Sequence, residues 1–104
     1  MGPQIIQQAL ALLQKVAPAM SRGVPNANKV PNTVYRDVGQ LISHEGAPDA
    51  ARVAQYQKML QQGKAIDPLK VISEAGKYGI EDGKHRLQAL INMGYRFAPT
   101  TEMK

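Results

Sequence analysis

Three basic residues in a row, Lys84, His85 and Arg86, follow the pair Asp82-Gly83 and open a segment with helical spacing, "KHRLQALINMG". The first turn of a helix carries N–H groups without intrahelical partners and the positive end of the dipole. Acids suit that position, and each exposed cation there costs ~0.3–1 kcal/mol. An anion held by the turn would offset this cost. In that reading Gly83 removes a Cβ that would block close approach, and Arg86 offers a fork matched to phosphate. His85 can donate to an oxyanion or move a proton near neutral pH, and Lys84 adds a further cation. The alternative is a solvated basic turn with Asp82 as an ordinary cap and His85 packed inside.

His44 and His85 are the only histidines, and "HEG" at His44–Gly46 lacks the second His that a zinc helix motif needs. Two histidines with Asp82 or Glu45 form one conceivable metal set. Mg²⁺ or Mn²⁺ held by Asp82, Glu81 or Glu45 together with substrate phosphates fits better, because Mg²⁺ needs only one or two carboxylates. Tyrosines can stack on bases, but the spacing of Tyr56 and Tyr78 assigns both to the core and leaves Tyr95 open. Arg36, Arg52 and Arg96 either widen a basic patch or are solvated.

The elements that must position these residues follow from periodicity and breakers. Residues 3–20 read as a helix, with Pro3 in its first turn and a broad aliphatic face. "SRGVPNANKVPN", residues 21–32, reads as a linker or extended loop. Short β-prone pieces occur at Val34-Tyr35 and Gln40–Ile42. Residues 49–62 predict a helix with Asp49 as N-cap, Val53, Tyr56 and Leu60 on one face, and Gly63 as its stop. Leu69, Val71 and Ser73, then Tyr78 and Ile80, alternate about a turn at Glu74-Ala75-Gly76, a β-hairpin. Residues 84–93 predict the helix that begins at the basic turn, with Leu87, Leu90 and Ile91 facing the core and Gly94 closing it. Tyr95–Thr100 is a last strand. From residue 33 the order is strand, helix, strand, strand, helix, strand: one small α/β (α+β) domain with a mixed sheet. The expected division is 1–29 as helix and linker and 30–104 as the domain proper.

"YGIEDGKHRLQALINMGYRFAP", with "RVAQYQKMLQQGKAIDPLKVI" upstream, resembles the signature of the ParB/sulfiredoxin superfamily: a strand ending in Asp-Gly, one variable residue, His-Arg, and a helix closed by Gly. The resemblance runs from about Val30 to Thr100. It implies the family's small α/β fold and a loop that holds nucleotide or other phosphate groups. Carried over by position, Gly83, Lys84, His85 and Arg86 would touch phosphate, and Asp82 would shape the loop or assist a metal ion. "SHEG" resembles an upstream His/Thr-Glu element of ParB-like kinases, which makes Glu45 a candidate base or metal contact. Position 84 departs from the sulfiredoxin pattern: Lys stands where those enzymes have their Cys, and the chain contains no Cys. Sulfinic acid reduction is therefore excluded. The chain reaches Lys104 without the helix-turn-helix domain of partitioning ParB proteins, so a stand-alone ParB-like domain is expected.

With 104 residues, a hydrophobic fraction of 43%, one Phe and no Trp, the chain can bury one modest aliphatic core. No Cys means no disulfide and no thiolate chemistry, which fits a cytoplasmic setting, in a bacterium or a phage-infected cell. No apolar run is long enough to span a membrane, and no basic region precedes the first apolar stretch as in a signal peptide. The net charge of +5 favours an anionic partner, nucleic acid or nucleotide. The functional expectation is a phosphate-binding, nuclease-like domain, of a toxin or a phage or plasmid protein. In it His85, Arg86 and Glu45 would be catalytic, with Mg²⁺ or Mn²⁺ and a nucleotide as cofactors. A nucleotide-dependent phosphotransferase and a non-enzymatic DNA-associating scaffold are the alternatives. The first helix would also allow a homo-oligomer.

Overall fold

A computed structural model of the chain describes residues 23–44 and 46–103. The helix expected over residues 3–20, the oligomer contact built on it, and Glu45 all lie outside the described residues.

Strand β1 (Val34–Asp37) runs into a single 3₁₀ turn, Val38–Gln40, where an extended piece was expected to begin. The Asp37 carboxylate accepts from the Gly39 N–H at 2.8 Å and draws the chain into that turn, so β2 is only Leu41–Ile42. Helix α1 (Ala50–Gln61) starts where the sequence places it: Asp49 is extended and its Oδ2 accepts from the Arg52 N–H at 3.0 Å. Gly63 ends it at φ +72°, with the Lys64 N–H reaching back to Met59 O at 2.9 Å. Strands β3 (Leu69–Glu74) and β4 (Lys77–Asp82) form the expected hairpin. Ala75 and Gly76 both have positive φ, which matches the right-handed twist of the two strands. Helix α2 (Lys84–Asn92) and strand β5 (Phe97–Glu102) complete the order.

The sheet order is β1-β5-β3-β4-β2. β1–β5 and β3–β4 are antiparallel, whereas β2–β4 and β3–β5 are parallel. The two helices pack on each other, and α2 also touches β3 at the centre of the sheet. One core joins them, with Leu69, Val71, Ala89, Leu90 and Ala98 fully buried and Val53, Leu60 and Leu87 nearly so. Burying one such leucine stabilises by roughly 1.5–3 kcal/mol. Ile91, expected on the core stripe, is 45% exposed. The inward face of α2 runs through Arg86, Leu87, Ala89 and Leu90 instead, so it includes the Arg86 side chain. Tyr56 and Tyr78 pack against the core but are not enclosed by it.

The described part of the expected linker is hydrogen-bonded to the domain. Ala27 bridges Ile66 in parallel, Asn26 donates to Gly63 O at 2.8 Å, and Asn28 donates to Asp67 Oδ1 at 2.6 Å. Composition marked these asparagines as loop formers; only the fold shows that their amides serve the 63–67 turn.

Candidate phosphate site at the start of helix α2

Strand β4 delivers Asp82 to the sheet edge, and Gly83 turns the chain into α2 at φ +117° and ψ 20°. A Cβ on Gly83 would stand 2.8 Å from Leu69 Cγ and 3.2 Å from Arg86 Nη2. The glycine is therefore required twice, by its backbone conformation and by the closeness of β3. It is also the N-cap, so no side chain caps the helix, and the first turn contains no acid. The first intrahelical bond runs from Leu87 N–H to Gly83 O at 2.8 Å. The N–H groups before it have no partner within the helix.

This helix end opens into a cleft of about 330 Å³ lined by Ser43, Arg52, Tyr56, Ile80 and the run Glu81–Arg86. Lys84 and His85 are half-buried on its wall. The expected residues Asp82, Gly83, Lys84, His85 and Arg86 are thus brought together in one cavity. Asp82 is not the cap that one reading of the turn made it: its carboxylate lies 3.3 Å from Arg86 Nη2.

Arg86 sits differently from a surface phosphate clamp. Its side chain is 9% exposed, and Nη1 donates to Asp67 O at 2.8 Å and to Pro68 O at 3.0 Å. The guanidinium ties the turn before β3 to the turn after β4 and brings its charge to the cleft from inside the fold. His44 does not line the cleft; its Nε2 meets Glu74 Oε1 at 2.7 Å at the far end of the hairpin. A Cβ on Gly79 would fall on the Glu74 carboxylate, so this mid-strand glycine makes room for the pair. The two histidines therefore belong to different places, and among the described residues no group of three His, Asp or Glu is gathered for a metal ion.

Arg52 and Tyr56 enter the cleft from α1, one helical turn apart. Sequence reasoning assigned Tyr56 to the core and left Arg52 between patch and solvent. The signal was their i, i+4 spacing, which puts them on one face; which face meets the cleft is a tertiary fact. Arg36 and Arg96 are engaged elsewhere. Arg36 lies 3.9 Å over the Tyr78 ring and donates to Thr100 Oγ1, and Arg96 donates to Asp37 Oδ2 at 3.1 Å. The latter bond and that from Gly39 N–H hold the Asp37 carboxyl below the usual carboxylate range, the Gly39 contact being the larger cause.

No protein-family model and no characterised protein of similar sequence matches the chain. Solved structures do resemble it. Sulfiredoxin from Arabidopsis thaliana superposes with a TM-score of 0.63 at 21% identity, over 71% of this chain and 86% of that one. A free serine kinase in complex with AMP gives a TM-score of 0.63 at 24% identity, over 78% of this chain but 36% of the kinase. The C-terminally truncated partitioning protein ParB from Caulobacter crescentus, complexed with CTP-gamma-S, gives 0.59 at 15% identity, over 69% of this chain and 44% of that one. At such identities the likeness is one of fold: the chain has the ParB/sulfiredoxin fold, as the Asp-Gly-Lys-His-Arg resemblance implied. No helix among the described residues is long and apolar enough to cross a membrane.

Proposed function

We propose that the cleft binds the phosphate of a nucleotide unit, and that the domain acts on nucleic acid by phosphodiester hydrolysis. The observation that carries the binding reading is the basic first turn of α2, uncapped by any side chain, facing a cavity of about 330 Å³. Its backbone dipole, Lys84 and Arg52 favour an anion there, and the Tyr56 ring offers a flat face to a base or sugar. Two solved structures of this fold are complexes with AMP and with CTP-gamma-S, which supports a nucleotide as ligand or cofactor.

For hydrolysis, water attacks phosphorus as the bond to the leaving oxygen breaks, and His85 moves the proton. Arg86 offsets the developing negative charge from its fixed place behind the turn. Glu45 enters as a base only through the resemblance of "SHEG" to the kinase element. Asp82 and Glu81 fit Mg²⁺ or Mn²⁺ held chiefly by substrate phosphate, since both line the cleft and Mg²⁺ needs only one or two carboxylates. Such an ion would neutralise phosphoryl charge. The net charge of +5 favours nucleic acid as substrate. The likeness to a free serine kinase favours a second reading, phosphotransfer to a small molecule.

Two assays on the wild type, His85→Ala and Lys84→Ala separate these readings: calorimetric titration with nucleotides, and plasmid cleavage with Mg²⁺ or Mn²⁺. Cleavage lost in His85→Ala with nucleotide binding retained supports hydrolysis at this site. Binding without any cleavage by the wild type removes the hydrolytic reading and leaves phosphotransfer or a silent scaffold. Unaltered binding in Lys84→Ala and His85→Ala together refutes the location.

A further inference from the structure

The cleft at α2 is not isolated. Adjoining it at the Asp82–Arg86 pair is a second depression of about 210 Å³, which shares both residues with the cleft and adds Lys70, Thr101 and Val30. Val30 is also the wall of a third, of about 550 Å³, which contains Lys29 and Tyr35. The first two depressions share Asp82 and Arg86 and the last two share Val30, so the three adjoin in series from α2 to the edge strand β1.

The chemistry along this path repeats. Tyr56 and Arg52 flank its start, Lys70 stands at its middle, and Lys29 and Tyr35 lie at its end. Lys29 and Lys70 are exposed and form no ion pair among the described residues. The two carboxylates on the middle stretch both have donors: Asn28 donates to Asp67 at 2.6 Å, and Arg86 lies 3.3 Å from Asp82. The Tyr35 hydroxyl donates to Pro25 O at 3.0 Å, which fixes the ring while leaving the residue 39% exposed. Spaced cations with aromatic rings presented to solvent suit a strand whose phosphates are tracked and whose bases are unstacked. A duplex hides its base faces and cannot use Tyr35 or Tyr56 in this way.

We propose that the three depressions form one track for single-stranded nucleic acid, with a phosphate at the α2 turn, the following backbone beside Lys70, and a base on Tyr35. The proposal rests on the phosphate reading of the cleft and extends it by specifying a single strand as the ligand and Lys70, Lys29 and Tyr35 as its subsites.

Fluorescence anisotropy with a short 5′-phosphorylated oligothymidylate, and competition by thymidine monophosphate, test it on the full chain. The oligomer should bind at least about tenfold more tightly than the monomer. Lys70→Ala should reduce the slope of log affinity against log salt by about 0.7, as loss of one single-strand phosphate contact requires. Tyr35→Ala should weaken oligomer binding by about tenfold while Tyr35→Phe, which keeps the ring, stays near wild type. None of these variants should change monomer binding. An oligomer that binds no more tightly than the monomer, or that ignores both Lys70→Ala and Tyr35→Ala, overturns the track while leaving the α2 site standing. Oligomer binding sensitive to these variants, without monomer binding, keeps the track and removes the mononucleotide reading. Failure of both ligands to bind removes both.

Discussion

Replacing Arg86 with Met tests whether this residue serves the fold or only the ligand. The side chain is 9% exposed, and its Nη1 satisfies Asp67 O at 2.8 Å and Pro68 O at 3.0 Å. A hydrogen bond from a charged donor contributes about 1.5–3 kcal/mol, and a buried carbonyl left without a donor costs about 1–3 kcal/mol. The contact to Asp82 adds little, because that carboxylate is 65% exposed and screened by solvent. Methionine fills similar space and recovers some apolar burial. The net loss expected is about 3 kcal/mol, a large share of the roughly 5–15 kcal/mol that holds a domain together. At about 4–8 °C per kcal/mol for a domain of this size, Tm should fall by about 12–24 °C. Arg86→Lys keeps the charge but has no planar fork for two carbonyls, so it should recover only part of the loss. Thermal unfolding followed by circular dichroism, with nucleotide titration well below Tm, separates the roles. A Tm within about 2 °C of wild type, combined with lost nucleotide binding, would refute the argument and show that the guanidinium serves the ligand alone.

Three further outcomes follow from the same geometry. Gly83→Ala, placed at φ +117° with its Cβ 2.8 Å from the buried Leu69, should lose about 2–4 kcal/mol in denaturant unfolding; a loss below about 0.5 kcal/mol would contradict the close approach. Gly79→Ala puts a methyl on the Glu74 carboxylate and should break the His44–Glu74 pair at less than about 1 kcal/mol of stability. The His44 ring signals in its NMR spectrum should then match those of Glu74→Gln. Asp37 has its folded pKa lowered by Gly39 N–H and Arg96, so its contribution is present above its unfolded value of 3.8 and is lost as pH falls through the lower folded value. Asp37→Asn should therefore be less stable than wild type at neutral pH, with the gap closing only below that value; a gap independent of pH would show that charge is not the cause.

Local signals carried most of the element order. Asp49, Gly63, Gly83 and Gly94 act through their own backbone conformation or through partners at most five residues away, so their positions mark helix ends directly. The β3–β4 hairpin was legible because alternation and turn lie in one continuous stretch. The 3₁₀ turn after β1 and the exposure of Ile91 were not, since the Val38 N–H at that turn is bonded to the distant Arg96 O, and which side of α2 faces inward is set by its docking on α1 and β3.

What the sequence alone determined is the motif and its local geometry. An Asp-Gly-Lys-His-Arg run between a strand and a helix forces a glycine-started, basic helix end, because only nearby residues are involved. Tertiary structure decided what surrounds that end. It brought Arg52 and Tyr56 from α1 to the cleft, turned Arg86 toward the Asp67 and Pro68 carbonyls, and sent His44 to Glu74. Each of these contacts joins residues that lie 18 or more positions apart or on separate elements. Long-range partners of this kind are selected by the packing of the whole sheet, not by any periodicity along the chain.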